Sequence, residues 1–216
     1  TVTHPYKPAA AAIASNSCSK EVLRIGAANT LIFSQHGINA HNTDYTGFMG
    51  AWRFWRGDHS PGRVAMAGAG GVARAVGLAL SMLGSDDIAV WDVAPERAEK
   101  LARDLGPPVR AIPIAGAAAA CSRADGLVNA TAVGMLHSPG MAFEAEGIGG
   151  QNWAFDAIYT PRNTLFLESC GAGGLDCLSG FELFRHMALG SFTAYTGRKL
   201  DSALILERID QLAPRR

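Results

Sequence analysis

The residues whose types and spacing most plainly suggest chemistry lie between Val64 and Asp92. Val64-Ala65-Met66-Ala67 runs straight into Gly68-Ala69-Gly70-Gly71-Val72-Ala73, an apolar run closed by the Gly-x-Gly-x-x-Ala spacing of a dinucleotide-binding turn. Each small residue has its own task. Gly68 lets the chain turn sharply, Gly70 lets backbone approach a pyrophosphate, and Ala73 lets the following helix pack close to the strand. Such a loop needs no lysine, because free N–H groups and the positive end of the helix dipole face the anion. No Gly-Lys-Ser or Gly-Lys-Thr follows, which separates it from a P-loop. Asp92 stands 24 positions after Gly68, where a carboxylate can accept from both hydroxyls of an adenosine ribose and would repel a 2′-phosphate. Val93 and Ala94 offer that phosphate no cation, and Arg97 is the nearest candidate. NAD is therefore expected over NADP. The competing reading of Asp92 is a cap for a helix starting near Pro95.

Positioning these residues takes a βαβ unit. Val72, Val76, Ala79, Leu80 and Leu83 recur at helical spacing after the glycines, and Ile88-Ala89-Val90-Trp91 is a short buried strand. Further on the pattern predicts a helix over 95–105, a strand over 109–114, a short helix over 115–121 and a buried strand over 126–130. Thr131, Ala132, Val133, Gly134 and Met135 then form a loop at that strand's carboxyl end, the edge of an open parallel sheet where ligands bind. A strand over 153–158, a helix over 163–170, a strand over 175–178 and two closing helices over 182–196 and 200–212 complete the chain. Upstream, residues 1–7 read as a strand end and a proline-set turn, with His4 held extended by Pro5. Residues 8–14 read as a helix, Ser15-Asn16-Ser17 as a break, and 25–33 as a turn entering a strand. Gln35-His36-Gly37 is a hairpin tip. A strand from Ile38 and a helix from about Thr46, bearing Phe48, Met49, Trp52 and Trp55, lead to a linker over 58–62.

Composition narrows the class. The chain has 216 residues, 48% apolar and 18% charged, with nineteen basic against nineteen acidic side chains. That describes a packed protein with no net charge to attract nucleic acid or an anionic membrane. Cys18, Cys121, Cys170 and Cys177 show no Cys-x-x-Cys spacing, so buried thiols are expected, with neither a zinc cage nor a disulfide framework. The apolar stretch 64–83 is long enough to suggest a membrane span, but Arg74 at its centre and its glycines argue for a water-facing protein's core. No signal peptide is visible, so a cytoplasmic location is the expectation.

Several separate stretches resemble the shikimate dehydrogenase family. Thr1-Val2-Thr3-His4-Pro5-Tyr6-Lys7 is similar to that family's Asn-Val-Thr-x-Pro-x-Lys, Gly26-Ala27-Ala28-Asn29-Thr30 to its Gly-Ala-x-Asn-Thr, and Asn42-Thr43-Asp44-Tyr45-Thr46-Gly47 to its Asn-Thr-Asp-x-x-Gly. Asn129-Ala130-Thr131-Ala132-Val133-Gly134-Met135 resembles the cofactor-side loop, and Asp156-Ala157-Ile158-Tyr159-Thr160-Pro161 the strand end before the closing helices. The resemblance implies a doubly wound α/β sheet with a smaller α/β substrate domain. On this chain the parts would be 1–50 for substrate, 51–185 for NAD(P), and 186–216 as helices packing back on the substrate part.

It also implies roles. Lys7 and Asp44 would be the catalytic pair in reversible hydride transfer between nicotinamide and a secondary alcohol. Lys7 takes or returns the hydroxyl proton, and Asp44 orients it, since a carboxylate favours the ammonium form. On the residues alone, a surface ion pair is the other reading. Thr3 and Asn29 match positions that hydrogen-bond substrate, Tyr159 lies where substrate and nicotinamide meet, and Gly180 matches a glycine whose backbone approaches the carboxamide. Simpler alternatives are a turn-stabilising Thr3, an Asn29 bonded to its own backbone, a Tyr159 that only packs, and an ordinary turn glycine. Asn129 and Ile158 complete the cofactor set.

Two departures accompany the matches. Met187 stands where the family has a glutamine reaching a substrate hydroxyl, and a thioether accepts only weakly; His186 beside it is expected on a helix face. The family's segment before Asn-Val-Thr, with its Ser-x-Ser loop for the substrate carboxylate, has no counterpart here, which suggests part of a longer protein. The expected partner is a hydroxy acid of the shikimate or quinate kind, with a homodimer as a way to cover apolar surface. The alternatives are a non-catalytic ligand sensor on the same fold and a related two-domain dehydrogenase acting on folate.

Overall fold

Short strands of consecutive apolar residues give the chain a sheet that must be covered on both sides. A computed structural model describes residues 1–3, 5–14, 18–198 and 200–212; the expectations for His4 and for Ser15-Asn16-Ser17 lie outside them. The chain opens with α1 (Lys7–Ile13) and α2 (Lys20–Ile25), passes through an antiparallel hairpin of β1 (Thr30–Ser34) and β2 (Gly37–His41), and enters α3 (Thr43–Arg56). Next come β3 (Arg63–Ala67), α4 (Gly71–Met82), β4 (Asp87–Trp91), α5 (Pro95–Leu105), β5 (Val109–Ala111), α6 (Ala117–Cys121) and β6 (Gly126–Asn129). The remainder is β7 (Trp153–Asp156), α7 (Leu165–Ala172), β8 (Asp176–Leu178), α8 (Gly180–Thr196) and α9 (Ser202–Leu212). Six strands pair in the order β5-β4-β3-β6-β7-β8, each pair parallel. This is the doubly wound dinucleotide-binding order, which reverses direction between β3 and β6.

Side-chain alternation sorts the core into two layers. Val64, Met66, Ile88, Val90, Val128, Trp153 and Phe155 face α3, α4, α5 and Leu183 of α8. Ala65, Ala67, Ala89, Trp91, Leu127 and Ala154 face α6, α7 and Phe143. A third, smaller cluster of Ala10, Ala14, Val22, Ala28 and Ala40 joins α1 and α2 to the hairpin. Aromatic edges fasten α3 to the sheet. Phe48 meets Phe155 and Trp52 meets Trp153, both at 4.9 Å and nearly perpendicular, the geometry aromatic quadrupoles favour.

Several boundaries differ from the sequence expectation. Residues 1–3 form no strand. Helix α3 begins at Thr43 because Asn42 caps it, its side-chain oxygen accepting from the Tyr45 N–H at 3.0 Å. Asp44 thus sits in a first helical turn and not in a loop. Helix α2 has no counterpart in the expected elements, although Ser19 caps its start and Gly26, in the left-handed region, ends it. Positions 50 and 185 fall inside the continuous helices α3 and α8. Cys121 and Cys170 are buried thiols, whose burial pushes them up to about 11 and about 12, whereas Cys177 is exposed and Cys18 half-buried. No helix among the described residues is long and apolar enough to cross a membrane.

One contact in the sheet admits no side chain at all. A Cβ on Gly126 would overlap the indole of Trp153, whose Nε1 donates to the buried Pro61 carbonyl at 3.1 Å. Gly126→Ala must therefore displace the ring from its packing with Trp52, an overpacking that should cost at least ~1–3 kcal/mol. Urea unfolding should show the midpoint falling with an unchanged slope.

Candidate active site

Lys7 is the first residue of α1, behind a turn in which the Tyr6 N–H donates to the Thr3 carbonyl at 2.9 Å. Its ammonium donates to Asp44 Oδ2 at 2.5 Å, with 17% of the lysine side chain and 4% of the aspartate side chain exposed. Asp44 also stands in the first turn of α3, where the helix dipole favours a negative charge. The Gly26-Asn29 segment locks the two helices together. The Ala28 N–H donates to the Lys7 carbonyl at 2.9 Å, and Asn42 Nδ2 donates to the Ala27 carbonyl at 3.0 Å. Buried Asn29 turns its side-chain oxygen to the Thr43 N–H at 2.8 Å and to the hydroxyls of Thr43 and Thr30 at 3.1 and 3.2 Å. Its Nδ2 takes no partner among the described hydrogen bonds. Asn29 therefore bonds across to α3 and not to its own turn, and Thr3 stands exposed beside the α1 turn.

The glycine loop meets this pair. Gly68 has φ +97°, and a Cβ there would fall 2.7 Å from the Ala130 carbonyl oxygen, so only glycine fits. Gly70, the N-cap of α4, has no side-chain cap bond and nothing within 4 Å of where a Cβ would be. Uncapped N–H groups beside open space are what a pyrophosphate needs. Val72 is half-buried and Ala73 fully buried against the sheet, the close packing expected of a small residue. A Cβ on Gly71 would stand 3.8 Å from Lys7 Cδ. The ion pair and the phosphate loop thus border one space.

Asp92 has a structural task of its own. Its Oδ2 accepts the Ala69 N–H at 2.8 Å and its Oδ1 the Ala94 N–H at 3.0 Å, so the carboxylate ties the end of β4 to the glycine loop. It is not the cap of α5, whose N-cap is Ala94 with no side-chain bond. Each oxygen keeps a lone pair for a ligand hydroxyl. Val93 and Arg97 are exposed beside it.

Two residues expected at the cofactor turn their side chains into the protein. Asn129 is fully buried: Nδ2 donates to the Val133 carbonyl at 3.0 Å and to Asp156 Oδ1 at 3.1 Å, while Oδ1 accepts the Thr131 N–H at 3.1 Å and the Thr131 hydroxyl at 2.7 Å. Both donors and both lone pairs are used within the protein, so its side chain has none left for a ligand. Ile158 is also fully buried, its Cδ1 3.0 Å from where a Gly134 Cβ would be. Its side chain is core. The open faces of this loop belong to Ala132, exposed, and to Thr131, Val133 and Met135, half-buried. Gly180 is buried against the Ala157-Ile158 backbone, with the carbonyl of Ile158 where a Cβ would go. Glycine is required there by that crowding alone.

Tyr159 is half-exposed and stacks on Phe184 of α8 at 5.5 Å. Met187 lies between α8 and α3, its Cγ 2.7 Å from a Cβ built on Gly47, one turn beyond Asp44. Arg74, which the sequence suggested only as a bar to a membrane span, bridges the two parts of the fold. Its Nε donates to the Ile25 carbonyl at 2.5 Å and its Nη2 to Asp104 at 2.6 Å. Among the described residues no group of three or more His, Cys, Asp or Glu side chains is placed to share a metal.

His186 points into the α3–α8 contact, its Nδ1 2.8 Å from a Cβ built on Gly50 and its ring 5.9 Å from Phe54. Nε2 is buried without a partner among the described residues. Burial, then the charge of Arg185, pushes the imidazole down to about 4. The folded protein therefore resists protonating it while the unfolded chain accepts the proton near pH 6.5, so the stability it contributes is complete above that value and is lost as pH falls toward 4. Thermal midpoints measured from pH 7 to 4.5 should fall less steeply in His186→Leu than in the parent protein.

Comparison with known proteins follows the same geometry. No protein-family model matches the chain. It is 34% identical over 206 residues to the quinate/shikimate dehydrogenase (NAD(+)) of Corynebacterium efficiens, covering 93% of this chain and 72% of that one. It is 35% identical over 197 residues to the shikimate dehydrogenase (NADP(+)) of Maricaulis maris, covering 91% and 70%. Among solved structures, quinate dehydrogenase from Corynebacterium glutamicum in complex with NAD superposes with a TM-score of 0.88 at 31% identity, covering 97% of this chain and 76% of that one. Shikimate 5-dehydrogenase from Thermus thermophilus in complex with NADP(H) and shikimate superposes with a TM-score of 0.83 at 32% identity, covering 97% and 77%.

Proposed function

The chain belongs to the shikimate and quinate dehydrogenase family, and from that premise we propose that it oxidises a secondary alcohol of a cyclic hydroxy acid, reversibly, with NAD preferred over NADP. The carrying observation is the buried Lys7–Asp44 pair bordering the glycine loop at Gly71. Nicotinamide, when bound, supplies the carbon that takes the hydride. The protein's share is the proton and the alignment. Lys7 Nζ accepts the hydroxyl proton as the neutral amine, becoming the ammonium that Asp44 holds, and as the ammonium returns the proton in the reverse direction. Asp44, fixed by the first turn of α3, holds that nitrogen in one direction and leaves its second oxygen to accept from a neighbouring substrate hydroxyl. Asn29 Nδ2, Thr3 and Tyr159 offer the further polar groups that a hydroxylated ring needs, since each buried hydroxyl left unpaired costs affinity.

Residues 1–50 with 186–216 serve as the hydroxy-acid part and 51–185 as the cofactor part. Gly68, Gly70 and the uncapped start of α4 receive the pyrophosphate. Asp92 receives the ribose hydroxyls, and its charge disfavours a 2′-phosphate. Met187, packed on Gly47 without a donor, favours quinate- or shikimate-like ligands with an apolar edge at that point. The intact ion pair counts against a purely sensing protein, which has no use for a proton acceptor.

Lys7→Ala should lower kcat on quinate or shikimate by ~10²–10⁴-fold, the range of general acid–base catalysis, with NAD affinity within about twofold; unchanged turnover would refute the role. Asp92→Ala loosens the loop for both nucleotides because the Ala69 N–H loses its acceptor. The ratio of NAD to NADP affinity should nevertheless move toward NADP by roughly tenfold, and a ratio that stays constant would reduce Asp92 to a loop anchor.

A further inference from the structure

Strands β6 and β7 end on Asn129 and Asp156, paired in register and both fully buried. No cation meets Asp156 among the described ion pairs. Three donors do: the Thr164 hydroxyl on Oδ2 at 2.6 Å, and the Ile158 N–H and Asn129 Nδ2 on Oδ1 at 3.0 and 3.1 Å. The Asn129 amide presents its NH2 to Asp156 and its oxygen to the loop beyond, the orientation that the donating Thr131 N–H and the accepting Val133 carbonyl also require. There that oxygen accepts from the Thr131 N–H and hydroxyl, and the Thr131 oxygen, its proton given away, accepts the Val133 N–H at 3.0 Å. The second Nδ2 proton holds the Val133 carbonyl.

We propose that Asp156 is a positioning residue for nicotinamide-cofactor binding: by holding the Asn129 amide in place, it steadies the backbone of Thr131 to Val133 at the edge between β6 and β3. The inference rests on the cofactor reading of that edge given above. Through the Ile158 N–H the same carboxylate also holds the segment before Tyr159, whose Ile158 carbonyl packs on Gly180. Stability alone does not explain a carboxylate here. Burial drives its carboxyl above the usual range despite the three hydrogen bonds, and an apolar residue at a buried strand end avoids that desolvation. What an apolar residue cannot supply is an acceptor for both the Asn129 NH2 and the Ile158 N–H.

The test uses the full chain with NAD, NADP and quinate. Asp156→Ala removes the acceptor. Asp156→Asn keeps an oxygen toward Asn129 and Ile158 by turning its NH2 to Thr164, whose hydroxyl oxygen can accept. Directly titrated NAD affinity should fall by at least roughly tenfold in Asp156→Ala, the scale of one or two lost hydrogen bonds, and stay within about threefold of the parent in Asp156→Asn. KM for NAD should rise in parallel, and by a larger factor than KM for quinate. Asn129→Ala, which cuts the relay beyond Asp156, should reproduce the loss and decides the matter should Asp156→Ala not fold. Parental NAD affinity in a folded Asp156→Ala or in Asn129→Ala overturns the positioning role, as does an Asp156→Asn protein as impaired as Asp156→Ala. A parent protein that binds neither NAD nor NADP overturns the cofactor reading itself, and this inference with it.

Discussion

The arrangement of both halves of the site depends on how α3 is held. One side of the helix carries Phe48 and Trp52, whose edges meet Phe155 and Trp153 of the sheet. The other side carries Gly47 and Gly50, which let α8 approach until Met187 and His186 sit where their Cβ atoms would be. Two neighbours packed that closely leave the helix little freedom to slide or rotate, because interiors at crystal-like density offer no alternative packing of similar energy. The consequence appears at its first turn. Asp44 is fixed relative to β7 and therefore relative to every loop on the carboxyl edge of the sheet. Lys7, on a separate short helix, is brought into register by its ion pair with Asp44 and by the bond from the Ala28 N–H to its carbonyl.

Much of this was legible in the chain, for identifiable reasons. The glycine loop and its flanking strands are local: the strand, the turn and the helix each carry their own pattern within 30 residues, so β3, α4 and β4 follow from periodicity and glycine placement. The Lys7–Asp44 pair is not local. Thirty-seven residues separate its members, and nothing in spacing or composition joins them; only the resemblance of two distant motifs did. Helix α2 is six residues long and half of it is charged, too short for helical periodicity to register, although its Ser19 and Gly26 caps were readable signals.

The residues read with least success were buried polar ones. Sequence resemblance places Asn129 in a cofactor loop without saying which way its amide faces, and only the three-dimensional network shows its donors and acceptors spent on Thr131, Val133 and Asp156. Ile158 likewise turns its side chain into the core. A residue can stand beside a ligand in the chain and yet serve it only by filling the space behind a loop. Arg74 illustrates the converse: an arginine inside an apolar helix reads as an interruption, whereas its guanidinium donates to the carbonyl of Ile25 at the end of α2 and pairs with Asp104.

Asp92 joins these themes, because its carboxylate serves two structures at once. The oxygens that would meet a ribose also accept the N–H groups of Ala69 and Ala94, so the choice of nucleotide and the shape of the phosphate loop share one residue. A neutral or basic side chain introduced to welcome a 2′-phosphate would leave the Ala69 N–H without its acceptor, and an orphaned buried donor costs ~1–3 kcal/mol. On the proposed reading, cofactor preference is therefore coupled to the stability of the glycine loop. On the proposed NAD reading, a switch to NADP requires a cation facing the 2′-phosphate together with a replacement acceptor at the end of β4, because the first without the second leaves the Ala69 N–H unpaired.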